Sequence, residues 1–349
     1  MQASVQSPVL VEVTRGALVE SAHHGALAVV DADGTLVAAL GDVERRIFPR
    51  SAVKAIQALV MMESGAADQF DMTDAEIAIA CASHNGEPLH VQTAEHMLKK
   101  AGRTAGCLEC GTHWPGLMGQ HAMYGKAALA LARSGKEPNA LHNNCSGKHA
   151  GFVCACVAME EDPKGYIGAD HALQREVTAA QETVFDMALG ADVRGTDGCS
   201  LPTYAIPLRT LAHGFARFGT GVGFQPVRGK AARRIRTACA AEPFMVAGTG
   251  RFDTAIMTAL RERAFTKTGA EGVFCAALPE QGLGIALKVD DGASRASEVA
   301  MASLIASFLD LSETERAAVD AATHVTFSNW NKLNVGGLRP AARLAELRP

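Results

Sequence analysis

Phe48-Pro49-Arg50-Ser51-Ala52-Val53-Lys54 runs straight into an apolar stretch, Ala52 to Met62, and its reading sets the rest of the chain in order. The apolar run after Pro49 predicts a helix from Ser51 to about Met62. Residues three apart on a helix share a face, which places Lys54 one turn along from the Ser51 hydroxyl. A serine hydroxyl is a poor nucleophile at neutral pH and needs a base within hydrogen-bond reach. Lys54 can be that base only when partly neutral, a state favoured by desolvation or by a second cation nearby. At the buried mouth of a helix, the dipole also favours developing negative charge.

Two more strings follow in order, Ser83-His84-Asn85 and Lys267-Thr268-Gly269. Singly, each recurs by chance. In this order they resemble the S-x-x-K, S-x-N and K-T-G set of the penicillin-recognising serine enzymes, and Lys267 becomes the expected second cation. The catalytic candidates are therefore Ser51, Lys54, Ser83 and Lys267.

Composition bounds the reading. At 349 residues the chain can bury a large core, as one elaborate domain or as two intimately packed lobes. A formal charge of −4 without basic runs argues against a nucleic-acid partner. Met1 to Gln6 carry neither a basic nor an apolar export signal, and no stretch approaches the roughly 20 apolar residues of a membrane span. The expectation is a soluble cytoplasmic protein. Nine cysteines, an odd count set in apolar segments such as Val153-Cys154-Ala155-Cys156, read as reduced core thiols.

Strands are expected at Val9 to Val13, Ala26 to Val30 and Thr35 to Leu40, the last two joined at Asp31-Ala32-Asp33-Gly34. Two more, Gly272 to Leu278 and Gly284 to Val289, come late. Between them lie an apolar run, Ala75 to Ala82, and a helix beginning near Pro88. The middle holds helices near 127–133, 148–160, 171–189, 207–218, 226–239 and 253–263. Helices Ser294 to Phe308 and Ser312 to Val319 close the fold. Strands at both ends with helices between predict an α+β chain, a mainly antiparallel sheet with a helical subdomain. Cys107 to Gly125, rich in Gly, His and Trp, reads as a functional loop, whose His113 and Trp114 are candidates to line a pocket or to serve in packing. Gly219 to Gly223 reads as a mobile one.

Asn143-Asn144-Cys145-Ser146-Gly147-Lys148-His149 crowds two amides, a thiol, a hydroxyl, an amine and an imidazole into one turn before a helix, a setting that suits an anion. Thr196-Asp197-Gly198-Cys199 is a second such turn. Cys145 and Cys199 are candidate soft ligands for zinc, with Lys148, His142 or His149 as the nitrogen partner. Cys107-Leu108-Glu109-Cys110 lacks the second ligand pair of a zinc ribbon and reads as buried thiols.

With these strings together, the chain resembles the asparaginase II family, the class 3 or rhizobial-type L-asparaginases. The resemblance is carried by Arg50 to Lys54, Cys81-Ala82-Ser83-His84, Asn144 to His149, Gly195 to Cys199, Met245 to Arg251 and Gly282 to Ala286. It implies a single catalytic domain over residues 1–349 with a serine-β-lactamase or penicillin-binding-protein-like fold, a homodimer, and hydrolysis of L-asparagine to aspartate and ammonia. It implies two Ser–Lys tandems, Ser51 with Lys54 and Ser83 with Lys267. It also implies a structural or modulatory zinc on Cys145, Lys148 and Cys199. Arg50, His84, Asn85 and Asp197 are the substrate-binding candidates, Arg50 and Asp197 by charge complementarity to an amino acid. The rival expectations are a β-lactamase, penicillin-binding or glutaminase-type amidohydrolase, and a non-catalytic zinc or amino-acid binding protein.

Overall fold

The computed structural model describes residues 7–116 and 124–348. The first six residues, read above for an export signal, and the centre of the Cys107–Gly125 loop lie outside the described residues. The chain forms two compact units, one from residues 1–52, 205–222 and 259–349, the other from residues 53–204 and 223–258.

The first unit is built on an eight-stranded sheet. Its strands run in the order Val325–Ser328, Asn334–Pro340, Val9–Arg15, Leu18–Asp31, Leu283–Val289, Val273–Leu278 and Phe265–Thr268, with Leu36–Leu40 also on Leu18–Asp31. All pairs are antiparallel. The long second strand changes character halfway: its first residues are exposed, whereas Ala26 to Val30 are buried without alternation. Such a run belongs to a strand covered on both faces. Leu27 sits between Leu287 and Leu40 in register. Each side chain so buried contributes roughly 1.5–3 kcal/mol. The helix Leu208–Thr220 lies directly on this sheet at Gly284, where a Cβ would come within 2.0 Å of the Ala212 carbonyl oxygen. Only glycine permits that approach.

The second unit is mostly helical. Thr73 and Glu76 form a reciprocal capping box that opens the helix Asp74–Ala80, so the apolar run read at Ala75 to Ala82 is a helix with a short tail. At its centre is the helix Ser146–Ala158, buried on every side from Ser146 to Cys156. Gly147 lets its first turn lie against the Asp74–Ala80 helix, since a Cβ there would meet the Ile79 carbonyl oxygen at 2.2 Å. That contact brings the turn at Cys145 to the segment that carries Ser83.

The mainly antiparallel sheet together with a helix-rich unit is the α+β class expected. Three details differ. The helix expected from Ser51 to Met62 is broken into a 3₁₀ turn, Arg50–Val53, and two short helices, Lys54–Gln57 and Leu59–Glu63. The two expected closing helices do not end the fold: Glu313–Thr323 is followed by the strands Val325–Ser328 and Asn334–Pro340 and a short helix, Ala342–Ala345. Their Asn and Gly content reads as loop, but a Cβ at Gly337 would meet the Val325 carbonyl oxygen at 2.3 Å, so glycine is what allows the pairing. Gly219 and Thr220, read as part of a mobile loop, complete the Leu208–Thr220 helix, with Gly221 as its left-handed cap (φ 81°).

Candidate active site

In the first unit, Ser51 lies on the 3₁₀ turn, half-buried among buried neighbours. The residue before it, Arg50, has φ 52°, a left-handed backbone that an arginine adopts only when its surroundings impose it. Lys267 is fully buried on the strand Phe265–Thr268, and its Nζ donates to the Thr268 carbonyl oxygen at 2.9 Å. The strand ends at Gly269, where a Cβ would lie 2.7 Å from the Pro49 carbonyl oxygen. The glycine of the K-T-G string thus seats that strand against the residues that lead into Ser51.

In the second unit, Lys54 is fully buried. Its Nζ donates to the Ala82 carbonyl oxygen, to Ser83 Oγ at 3.0 Å and to Cys145 Sγ at 3.2 Å. The short helix ends just before Ser83, whose amide donates to the Val246 carbonyl, while the next amides donate to Asn144 and Ala247. Ser83 is thereby held from two sides, with a lysine amine on its hydroxyl.

His84 and Asn85, expected as substrate contacts, have their polar atoms engaged by the protein. His84 is buried between other groups: its ring stacks on His90 at 4.9 Å, Nδ1 accepts from the Gly86 amide, and Nε2 meets Ser146 Oγ at 3.0 Å. Burial first, then the neighbouring His90 and Lys54, hold its pKa well below the usual histidine range, so the ring is neutral. Asn85 Nδ2 donates to Glu87 Oε1 and to the Thr249 carbonyl, and Oδ1 accepts from Arg251.

Cys145, Lys148 and Cys199 come together as a buried cluster. Lys148 Nζ donates to Cys199 Sγ at 3.2 Å, and Cys199 Sγ lies 3.7 Å from Asp197 Oδ2. The Cys199 thiol is hydrogen-bonded to Cys145, which lowers Cys145 well below the usual thiol range and raises Cys199. Burial works against the Lys148 ammonium, but Cys199, Cys145 and Asp197 outweigh it and raise its pKa. Among the described residues, no three His, Cys, Asp or Glu side chains gather as a metal site. A cation held by Cys145 and Cys199 with Lys148 as its nitrogen would have to displace protons from the amine and the shared thiol. Two hydrogen-bonded sulfurs with an amine on one of them are a donor set that fits a borderline-soft ion such as zinc. Of the other nitrogens, His142 bonds Asn139. His149 Nδ1 meets the Tyr166 hydroxyl at 2.6 Å, and its Nε2 has no partner among the described residues. Cys110 is buried, its thiol pushed up to about 12 by burial, whereas Cys107 is only half-buried. His113 accepts from the Asn144 amide through Nε2 and so supports the turn that leads into Cys145.

Glu87, Thr249 and Arg251 were given no role from the sequence. Gly248-Thr249-Gly250-Arg251 is conspicuous there, but Glu87, the partner of Thr249, stands 162 positions away in the chain and shares no pattern with it.

The family model described as L-asparaginase II matches residues 11–340. Among curated proteins none matches the chain significantly. A β-lactamase from Mycobacterium bovis is 13% identical, covering 86% of this chain and 94% of its own, with a TM-score of 0.38. A simvastatin synthase mutant from Aspergillus terreus is 10% identical over 76% of this chain and 86% of its own, with a TM-score of 0.39. Scores this low transfer no chemistry.

Proposed function

The chain belongs to the L-asparaginase II family, a family of asparaginase-like amidohydrolases, and on that premise we propose that it hydrolyses L-asparagine to L-aspartate and ammonia through an acyl-enzyme on Ser51. The observation that carries the reading is the fully buried amine of Lys54, the residue three positions after Ser51, hydrogen-bonded to the Ser83 hydroxyl. Lys54 takes the Ser51 proton as the hydroxyl attacks the side-chain carboxamide. Backbone N–H groups near Ser51 hold the oxyanion, each contributing roughly 3 kcal/mol. Ser83 and Lys267 pass a proton to the leaving ammonia. The C–N bond breaks, an aspartyl ester remains on Ser51, and water cleaves it with Lys54 again as base. Arg50 meets the substrate α-carboxylate and Asp197 its α-ammonium.

Cys145, Lys148 and Cys199 would hold zinc, which when bound supplies positive charge that fixes the two sulfurs in place. A Ser–Lys pair already provides the nucleophile, so the metal is modulatory in this reading. The reading extends to one catalytic domain, assembled as a homodimer in the cytoplasm. The absence of disulfides between cysteines among the described residues suits a reducing compartment. No helix among the described residues is long and apolar enough to cross a membrane.

The test is ammonia release from asparagine, glutamine and β-aspartyl dipeptides side by side, with nitrocefin as a β-lactam probe. Asparagine should be turned over fastest. Faster nitrocefin turnover would move the assignment to a β-lactam hydrolase, and ligand binding without ammonia release would make the chain a sensor. The metal assignment is tested separately. Cys145→Ser and Cys199→Ser should each lose bound zinc by elemental analysis, with a smaller fall in activity than Ser51→Ala. Full zinc occupancy in both variants would place the ligands elsewhere, with Cys107 and Cys110 the next pair to examine.

A further inference from the structure

Glu87 sits at the N-terminal cap of the helix Pro88–Lys100, and its carboxylate does not face solvent alone. Oε1 accepts from the Thr249 amide at 2.8 Å and from Asn85 Nδ2 at 3.0 Å, while Oε2 accepts from Thr249 Oγ1 at 2.8 Å. The same Asn85 amide donates to the Thr249 carbonyl, and Arg251 Nη1 bridges the Ser83 carbonyl and Asn85 Oδ1. Gly248, at φ 112°, makes room for this: a Cβ there would lie 2.6 Å from Glu87 Oε1 and 2.7 Å from Asn85 Nδ2. Two separate stretches, Ser83–Glu87 and Gly248–Arg251, are locked through one carboxylate.

We infer that Glu87 is a positioning residue for the Ser83 segment, fixing the Ser83 hydroxyl on the Lys54 amine by clamping Asn85 and the Gly248–Arg251 turn. The inference rests on the role given to Ser83 above. Glu87 touches none of the reacting groups. A carboxylate is needed because three donors converge on two acceptor oxygens, and the helix N-terminus adds its own positive end. Gln in its place would turn an NH₂ group toward one of those donors. Burial raises the Glu87 pKa, but the bonds from Thr249 and Asn85 outweigh it and leave the group below the usual carboxylate range. The clamp is therefore ionised and unchanged from about pH 6 upward.

The test compares Glu87→Gln, Thr249→Val and Thr249→Ser with the wild type by steady-state kinetics and by amide hydrogen exchange of the 82–86 segment without substrate. A misplacement of the catalytic groups by about 1 Å costs up to 10²-fold. Glu87→Gln and Thr249→Val should lower kcat roughly 10- to 100-fold with KM shifted less than about threefold. Exchange at residues 82–86 should speed up in both, while the Leu283–Val289 strand keeps its protection. Thr249→Ser keeps the hydroxyl and should restore most of kcat. The double variant should be no worse than its poorer single, because both cut one clamp. Thr249 is exposed, so its variants fold and decide the matter even if Glu87→Gln does not. Unchanged kcat and unchanged exchange in Thr249→Val would overturn the inference. A wild type that hydrolyses no amide would overturn the proposed function instead, and the exchange measurement would still decide the clamp.

Discussion

Ser51→Ala should lose about 10⁴-fold or more in kcat and still fold. Ser51 is half-buried on a 3₁₀ turn, so removing its hydroxyl opens no large cavity, and the change in stability should stay within about 0.5 kcal/mol. Activity responds differently, because a covalent route needs an atom that attacks and neighbouring groups cannot stand in for it. The strained Arg50 backbone that presents the turn remains in the variant, so substrate binding should persist. The measurement is ammonia release at saturating asparagine beside a thermal unfolding curve. More than roughly a tenth of wild-type turnover in a folded Ser51→Ala enzyme would remove Ser51 from the chemistry.

Lys54→Met should cost nearly as much activity, and some stability as well. Methionine matches the length of the lysine stem and fills its space. It has no donor for the Ala82 carbonyl and the Ser83 hydroxyl, which now accept from Nζ. A buried acceptor left without a donor costs about 1–3 kcal/mol, so the unfolding midpoint should fall by several degrees. Lys54→Arg should not restore turnover, since a guanidinium keeps its proton and cannot take the one on Ser51. An active arginine variant would show that Lys54 acts only through its charge.

Much of this arrangement was legible in the sequence because its signals are local. Leu283–Val289 and Val273–Leu278 are apolar runs of strand length joined by a Pro and Gly turn, and they pair as that pattern predicts. Ser146–Ala158 is legible as a buried helix for the same reason. What escaped was long-range. Val325–Ser328 alternates weakly and Asn334–Pro340 contains two glycines, so neither looks like a strand until the Val9–Arg15 strand is beside it. The broken helix after Ser51 escaped because tertiary contacts, with Lys54 drawn to Ala82 and Cys145, override an apolar run that by itself favours a regular helix. In the site, residue types named the chemistry, but only the fold could show that the Asn85 side chain is fully engaged by Glu87, Thr249 and Arg251.

The sheet order sets a timetable for biosynthesis. Val9–Arg15 lies between Leu18–Asp31 and Asn334–Pro340, and the Thr14 hydroxyl reaches Gly337 across 323 positions of chain. At typical translation rates of 5–20 residues per second, the nascent strand waits roughly 16 to 65 s for that neighbour. Throughout that interval one side of Val9–Arg15 offers unpaired backbone groups to any other extended chain. The helical unit, whose last segment ends at residue 258, is synthesised within that interval. Crowded expression or a stalled ribosome near the end of the message should therefore produce aggregates joined through Val9–Arg15, and slower initiation should relieve them.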